Sequence, residues 1–151
     1  MNAKDLTKEY PRSPYAELDG FPWLPRLIDK VRAKHAGTLG AYIPYPCGSD
    51  KRFLTYFGLD AAALEALIVS GASDAEVVAW CKTHGDKGPE QAGDYRKVQL
   101  GPIAAERRAV LEESISELKA ERPDLDFTGA DNFSKMICIE EGYPIPPAGP
   151  S

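Results

Sequence analysis

The sequence predicts a compact all-α bundle of five or six short helices joined by Pro- and Gly-rich connections. Three observations carry this. Leu24, Leu27, Ile28 and Val31 fall at i, i+3, i+4 and i+7, which is one helix face. Ser73-Asp74-Ala75-Glu76 has the form of a capping box ahead of an apolar run. No pair of strong alternating strands stands out, and no segment repeats.

The elements follow in order. Residues 1–20 read as an irregular arm, because Pro11 and Pro14 disfavour helix and hold the residues before them extended. The arm's Tyr, Leu and Pro residues suit it to lie against the domain. Pro25 is a good first-turn residue, so the first helix starts there, and Gly37 ends it as a left-handed terminator. Pro44 and Pro46 stiffen the linker that follows. Ser49 is placed to cap a short helix through Phe57, which Gly58 ends. Asp60 caps the next, with Leu64, Leu67 and Ile68 inward and Gly71 closing it. The capping box at Ser73 opens a helix through Val77, Val78, Trp80 and Cys81 to Gly85, with Trp80 read as core. Periodicity lapses over residues 86–101, which read as a linker with breakers at Gly88-Pro89 and Gly93. Pro102 then starts the longest helix. Ile103, Val110, Leu111, Ile115 and Leu118 mark its buried stripe, its glutamates a solvated face, and Pro123 its end. Phe133, Met136 and Ile137 predict one more helix before Gly142 and a Pro-rich, extended tail from Tyr143 to Ser151.

With 151 residues the chain suits one domain with a real core. That domain divides into a helical body (1–85), the linker (86–101), C-terminal helices (102–142) and the tail. Hydrophobic residues at 43% and charged residues at 27% fit a globular protein. The net charge is -5, and residues 86–151 carry the whole acidic excess. Phosphate-backbone binding wants a basic surface, so nucleic acid is not the expected partner. No apolar run is long enough to span a membrane, and the first residues lack a secretory pattern. Three scattered cysteines, none in a Cys-x-x-Cys pair, read as free thiols of a reducing cytoplasm.

Arg12-Ser13-Pro14, Leu24-Pro25-Arg26-Leu27-Ile28-Asp29-Lys30, Arg32-Ala33, Gly37-Thr38-Leu39-Gly40, Tyr42, Phe53-Leu54, Gly58-Leu59-Asp60 and Trp80 form an ordered pattern. Over about residues 10–85 it resembles a bacterial family of cytoplasmic proteins classed as a domain of unknown function. Residues 86–151 resemble that family more weakly. The resemblance implies a bacterial, soluble, helical protein and carries over no catalytic residue.

The first helix gathers the most chemistry. Arg26, Asp29 and Arg32 follow one another along one edge, so Asp29 can pair with both arginines. Lys30 lies four residues after Arg26, on the side away from Arg32. Two guanidiniums around one carboxylate keep spare donors and net positive charge. They suit a small carboxylate or phosphate ligand, which arginine binds bidentately. Two plainer readings stand beside this. The charges can be a solvated face with ordinary ion pairs. Alternatively, Arg26 or Asp29 can tie down the N-terminal arm through Arg12 or Ser13.

Candidate catalytic groups are His35, Tyr42 and Cys47. His35 projects near the apolar face; it is read either as a half-buried histidine holding a carbonyl or as a general base. His84 suits a helix C-terminus. Cys47 beside Gly48 is a conceivable nucleophile if a base lies near it. No zinc spacing is present, and Gly37-Thr38-Leu39-Gly40 is neither a Walker nor a dinucleotide loop, so no metal or cofactor is indicated. Two functions follow. One is a small-anion binding protein, able to be an enzyme, with its pocket between the first helix and the Tyr42–Asp50 linker. The other is a non-enzymatic interaction module that docks a partner through the acidic helix or the Pro-rich tail.

Overall fold

The structure is a computed structural model that describes residues 3–147. Among these the chain forms seven α-helices, two 3-10 turns and one two-stranded antiparallel hairpin. The fold is therefore predominantly helical but not all-α, and it has more helices than expected. The hairpin falls in and just after the stretch read as an irregular arm. Strands β1 (Glu17–Leu18) and β2 (Phe21–Pro22) pair Glu17 with Pro22 and Leu18 with Phe21. Asp19 (φ 48°) and Gly20 (φ 85°) make the turn. Two consecutive positive φ values are what a two-residue hairpin loop needs, and Asp-Gly meets that demand.

The chain divides into two compact units, one ending at Gly93 and the other beginning at Asp94. In the first, helix α1 (Leu24–Ala36) packs against β1 and against α3 (Ala61–Val69). Gly37 ends α1 in the left-handed region, as expected. Its N-cap, Trp23, also has positive φ (70°), which costs a non-glycine residue about 1–2 kcal/mol. α1 is buried on far more than one stripe: Leu24, Leu27, Ile28 and Val31 are inaccessible, and Arg26, Asp29 and Lys30 are nearly so. Helix α2 spans Gly48–Phe57, and Cys47, not Ser49, is its cap. Asp60 caps α3 by accepting from the Ala63 N–H at 2.9 Å, with Leu64 and Ile68 buried. Ser73 and Glu76 make the capping box of α4 (Asp74–His84). Trp80 is only half-buried and stacks on His84 at 4.6 Å, because it lies beside the inward face of Val77, Val78 and Cys81.

The N-terminal arm lies on this unit. Leu6 and Pro11 are buried, and the Leu6 N–H donates to the Thr38 carbonyl at 2.8 Å. The stretch read as a linker holds a 3-10 turn (Pro89–Gln91) and helix α5 (Gly93–Leu100). Its only apolar residues with helical spacing are few, so periodicity misses it.

In the second unit, α6 (Arg108–Glu121) starts later than Pro102 because a 3-10 turn (Ala105–Arg107) precedes it. Helix α7 (Phe133–Glu141) ends at Gly142. Leu111, Phe127 and Met136 form the core, with Ile103, Ile115 and Leu118 packed against it. Val110, expected inside, is 48% exposed, because it lies off the face that carries Leu111 and Leu118. Asn132 ties this unit together: its Nδ2 donates to the carbonyls of Gln99 and Gly101, both at 2.8 Å, and its Oδ1 caps α7. Residues 143–147 form neither helix nor strand; the rest of the Pro-rich tail lies outside the described residues. No helix is long and apolar enough to cross a membrane among the described residues.

Candidate functional site

The charged residues of α1 split between two clusters. On one edge, Asp29 is gripped from the N-terminal arm. The Arg12 backbone N–H donates to Asp29 Oδ2 at 2.8 Å, and Arg12 Nη2 donates to Oδ1 at 3.0 Å. Lys4 Nζ lies 4.0 Å from the same carboxylate. Among the described residues these are the Asp29 partners; Arg26 and Arg32 are not, although the helix wheel allows them. Arg26 turns instead to the arm, donating to the Arg12 carbonyl at 3.1 Å. Its guanidinium lies 5.9 Å from the Trp23 ring centre and 5.6 Å from that of Tyr42. The expectation of an Asp29 bracketed by two helix arginines thus gives way to the reading in which Asp29 and Arg26 tie down the arm. The helix's own pairs lose because Arg12 offers a main-chain donor and a guanidinium together.

Arg12 and Arg32 then meet at a second carboxylate. Arg12 Nη1 donates to Asp74 Oδ2 at 2.8 Å, and Arg32 Nη1 lies 3.1 Å from Asp74 Oδ1. Arg32 Nη2 also donates to the Ala72 carbonyl at 3.0 Å. Among the described residues the buried Arg32 Nε has no hydrogen-bond partner. Asp74 is the first residue of α4, so the amide end of that helix points to the same place. About a third of its side chain is exposed. Burial pushes the Asp74 carboxyl up, but hydrogen bonds and charge from Arg12 and Arg32 outweigh this and hold it below the ordinary carboxylate range. Burial works against the charge of Arg12 in the same way, and its bonds to Asp74 and Asp29 more than offset it.

On the other side of α1, Lys30 donates to Asp50 Oδ2 at 3.0 Å and to Cys47 Sγ at 3.2 Å. Asp50 is fully buried and accepts two further bonds, from Trp23 Nε1 at 2.8 Å and from the Cys47 backbone N–H at 3.0 Å. Asp50 stands three residues after the N-cap and reaches back to it, as the acidic member of a capping box does, with cysteine in place of serine. That spacing was the available signal, and Cys in the cap position hides it. Trp23 gave no signal of its role.

His35 is exposed rather than half-buried, and Nε2 lies 3.2 Å from Glu65 Oε2. It sits in the last turn of α1, beyond the buried face. Lys34 shares Glu65 at 3.0 Å. The bond from Lys34 is the largest influence that holds the Glu65 carboxyl low, and His35 adds to it. The three catalytic candidates therefore have separate settings: His35 with Glu65, Tyr42 beneath Arg26, and Cys47 with Lys30. Tyr45, on the same linker, is buried and donates to the Ala61 carbonyl at 2.8 Å. Trp23, Lys30 and Asp50 are all buried. An open cleft of about 470 Å³ is lined by Lys51, Leu54, Leu59 and Asp60, none of which belongs to either charged cluster. Among the described residues no three His, Cys, Asp or Glu side chains are grouped to hold a metal. Among the described residues the three cysteines form no disulfide.

Fold and site define a small, predominantly helical protein whose arm is locked to its first helix by a network of buried charges. The family model for a domain of unknown function (DUF5069) matches residues 8–142, and the chain belongs to that family. The match takes in the second unit as well as the stretch that carries the sequence pattern. No curated protein matches the chain.

Proposed function

We propose that this protein binds a small anionic ligand, a carboxylate or phosphate, where Arg12 and Arg32 converge at the start of α4. The observation that carries this reading is the pair of guanidiniums, one from the arm and one from α1, directed at a single partly exposed carboxylate. Asp74 itself shows what the donors accept: a planar anion held by two arginines beside a helix N-terminus.

The site differs from the one expected on α1 alone. Arg32 stays in it. Asp29 and Arg26 become its supports, because they fix Arg12. Lys30 serves the opposite cluster. Three cysteines without a disulfide among the described residues support a reducing compartment such as the bacterial cytoplasm. The partner-docking reading loses support from the second unit, where Ile103, Leu111, Ile115 and Leu118 face that unit's own core.

The test is a thermal-shift panel of small carboxylates, inorganic phosphate and phosphate esters on the full chain. A ligand at one hundred times its Kd stabilises by about 2.7 kcal/mol. The stabilisation is expected to vanish in Arg32→Gln while the unliganded variant still melts cooperatively. A panel without a stabilising anion, or a stabiliser indifferent to Arg32, overturns the reading.

A further inference from the structure

The other side of α1 brings a lysine nitrogen against a cysteine sulfur. Lys30 Nζ and Cys47 Sγ are 3.2 Å apart. Asp50 holds the same nitrogen from a second direction at 3.0 Å and is itself fixed by Trp23 and the Cys47 N–H. The nitrogen is therefore aimed, not tethered loosely. Lys30 is 4% exposed, whereas Cys47 is half-buried and the most exposed of the three cysteines. Cys81 and Cys138 are completely buried, and burial pushes the Cys81 thiol up to about 12. Oxidation by a peroxide follows exposure, so it starts at Cys47.

We propose that Lys30 and Cys47 are a covalent modification site, joined by one oxygen atom into a reversible N–O–S cross-link when the protein meets hydrogen peroxide. The ammonium proton of Lys30 leaves through Asp50 Oδ2, its acceptor at 3.0 Å, as the nitrogen reacts. One peroxide oxidises the thiol: a sulfur–oxygen bond forms, the peroxide O–O bond breaks, and the thiol hydrogen leaves in water. This yields the sulfenic acid beside the amine. A second peroxide removes one hydrogen from the amine and one from the sulfenic hydroxyl. The N–O bond forms, and that peroxide is reduced to two waters. Thiol, amine and two peroxides thus give the bridge and three waters, with sulfur and nitrogen oxidised. Excess dithiothreitol reverses it: the oxygen leaves as water, and two dithiols become disulfides.

The bridge ties α1 to the segment that caps α2, and it removes the positive charge that faces Asp50. It shares no residue with the Arg12–Arg32 cluster, so its fate is independent of anion binding.

Peroxide titration of the full chain, read by intact mass and by tryptic peptides, tests this. The expected product gains about 14 Da, one oxygen less two hydrogens, and returns to the starting mass with dithiothreitol. Trypsin no longer cuts after Lys30, and the Lys30 and Cys47 peptides appear joined. In Lys30→Arg the cation beside Asp50 is kept but the amine is gone, so Cys47 gains about 16 or 32 Da instead. Cys47→Ser retains the Lys30–Asp50 pair and is expected to show no gain at Lys30. Direct passage of the wild type to sulfinic acid with normal cleavage after Lys30 overturns the proposal. So does a Cys47 disulfide dimer as the main product, or a 14 Da gain that persists in Cys47→Ser.

Discussion

Arg12 binds Asp29 twice, through its own backbone N–H at 2.8 Å and through its guanidinium at 3.0 Å, across seventeen residues of sequence. Main chain and side chain of one arm residue are thereby fixed to one buried carboxylate of α1. The same guanidinium continues to Asp74, so the arm, α1 and α4 share a single charged junction. Removing it leaves Asp29 buried with too few donors. Arg12→Ala is expected to lower stability by about 3 kcal/mol, at the lower end for a broken buried pair because Lys4 and the backbone N–H remain. Urea unfolding measures it, and limited proteolysis should cut the arm first.

Lys30 and Asp50 make a second buried pair, at 3.0 Å with neither side chain more than 5% exposed. Lys30→Met should cost about 3–5 kcal/mol, since an uncompensated carboxylate stays in the core. Adding Asp50→Leu should recover most of that loss, because the charge that needed a partner is gone. Equal and additive losses from the two changes would contradict the pairing; a double-mutant cycle in urea distinguishes these outcomes.

The acid limb of stability should depend on Asp74. Its carboxyl is held below the ordinary value, so it contributes stability above its unfolded value of about 3.9 and loses that contribution as pH falls through the lower folded value. The melting temperature of Asp74→Asn is expected to fall less steeply below that pH than the wild type's. Parallel acid limbs for the two proteins would show that the Arg12 and Arg32 contacts do not hold the ionised form.

Gly58 ends α2 at φ 68°, and a Cβ there would run into the Asp86 carboxylate. Gly58→Ala is expected to cost about 1–2 kcal/mol for the left-handed backbone, with displacement of Asp86 added to it. Asp86 N donates to the Phe57 carbonyl at 3.0 Å, so hydrogen exchange at that amide should speed up with the substitution.

Local chemistry carried the helix boundaries well. Gly37, Gly58 and Gly142 end helices in the left-handed region, and Asp60 and Ser73 cap them, because each device acts within one turn of chain. The hairpin at Asp19-Gly20 was missed, because two-residue strands leave no alternation to notice. Helix α5 stayed hidden because only Tyr95 and Gln99 of its residues are buried, too few to set a period. The site was legible in part. Arg26, Asp29, Lys30 and Arg32 stand out on α1, but their partners Arg12, Asp50 and Asp74 are fourteen or more residues away. Helical spacing offered Asp29 two arginines on its own helix; a chain fold brought a better one. Such long-range choices rest on packing, which no local pattern records.

Arg12 and Arg32 together are proposed to make an anion site at the start of α4. The most direct measurement is the thermal shift of wild type and Arg32→Gln with inorganic phosphate and a panel of small carboxylates and phosphate esters. The expected result is a stabilising anion for the wild type whose effect is lost in Arg32→Gln and weakens with rising salt. An equal shift in both proteins, or none across the panel, would contradict it.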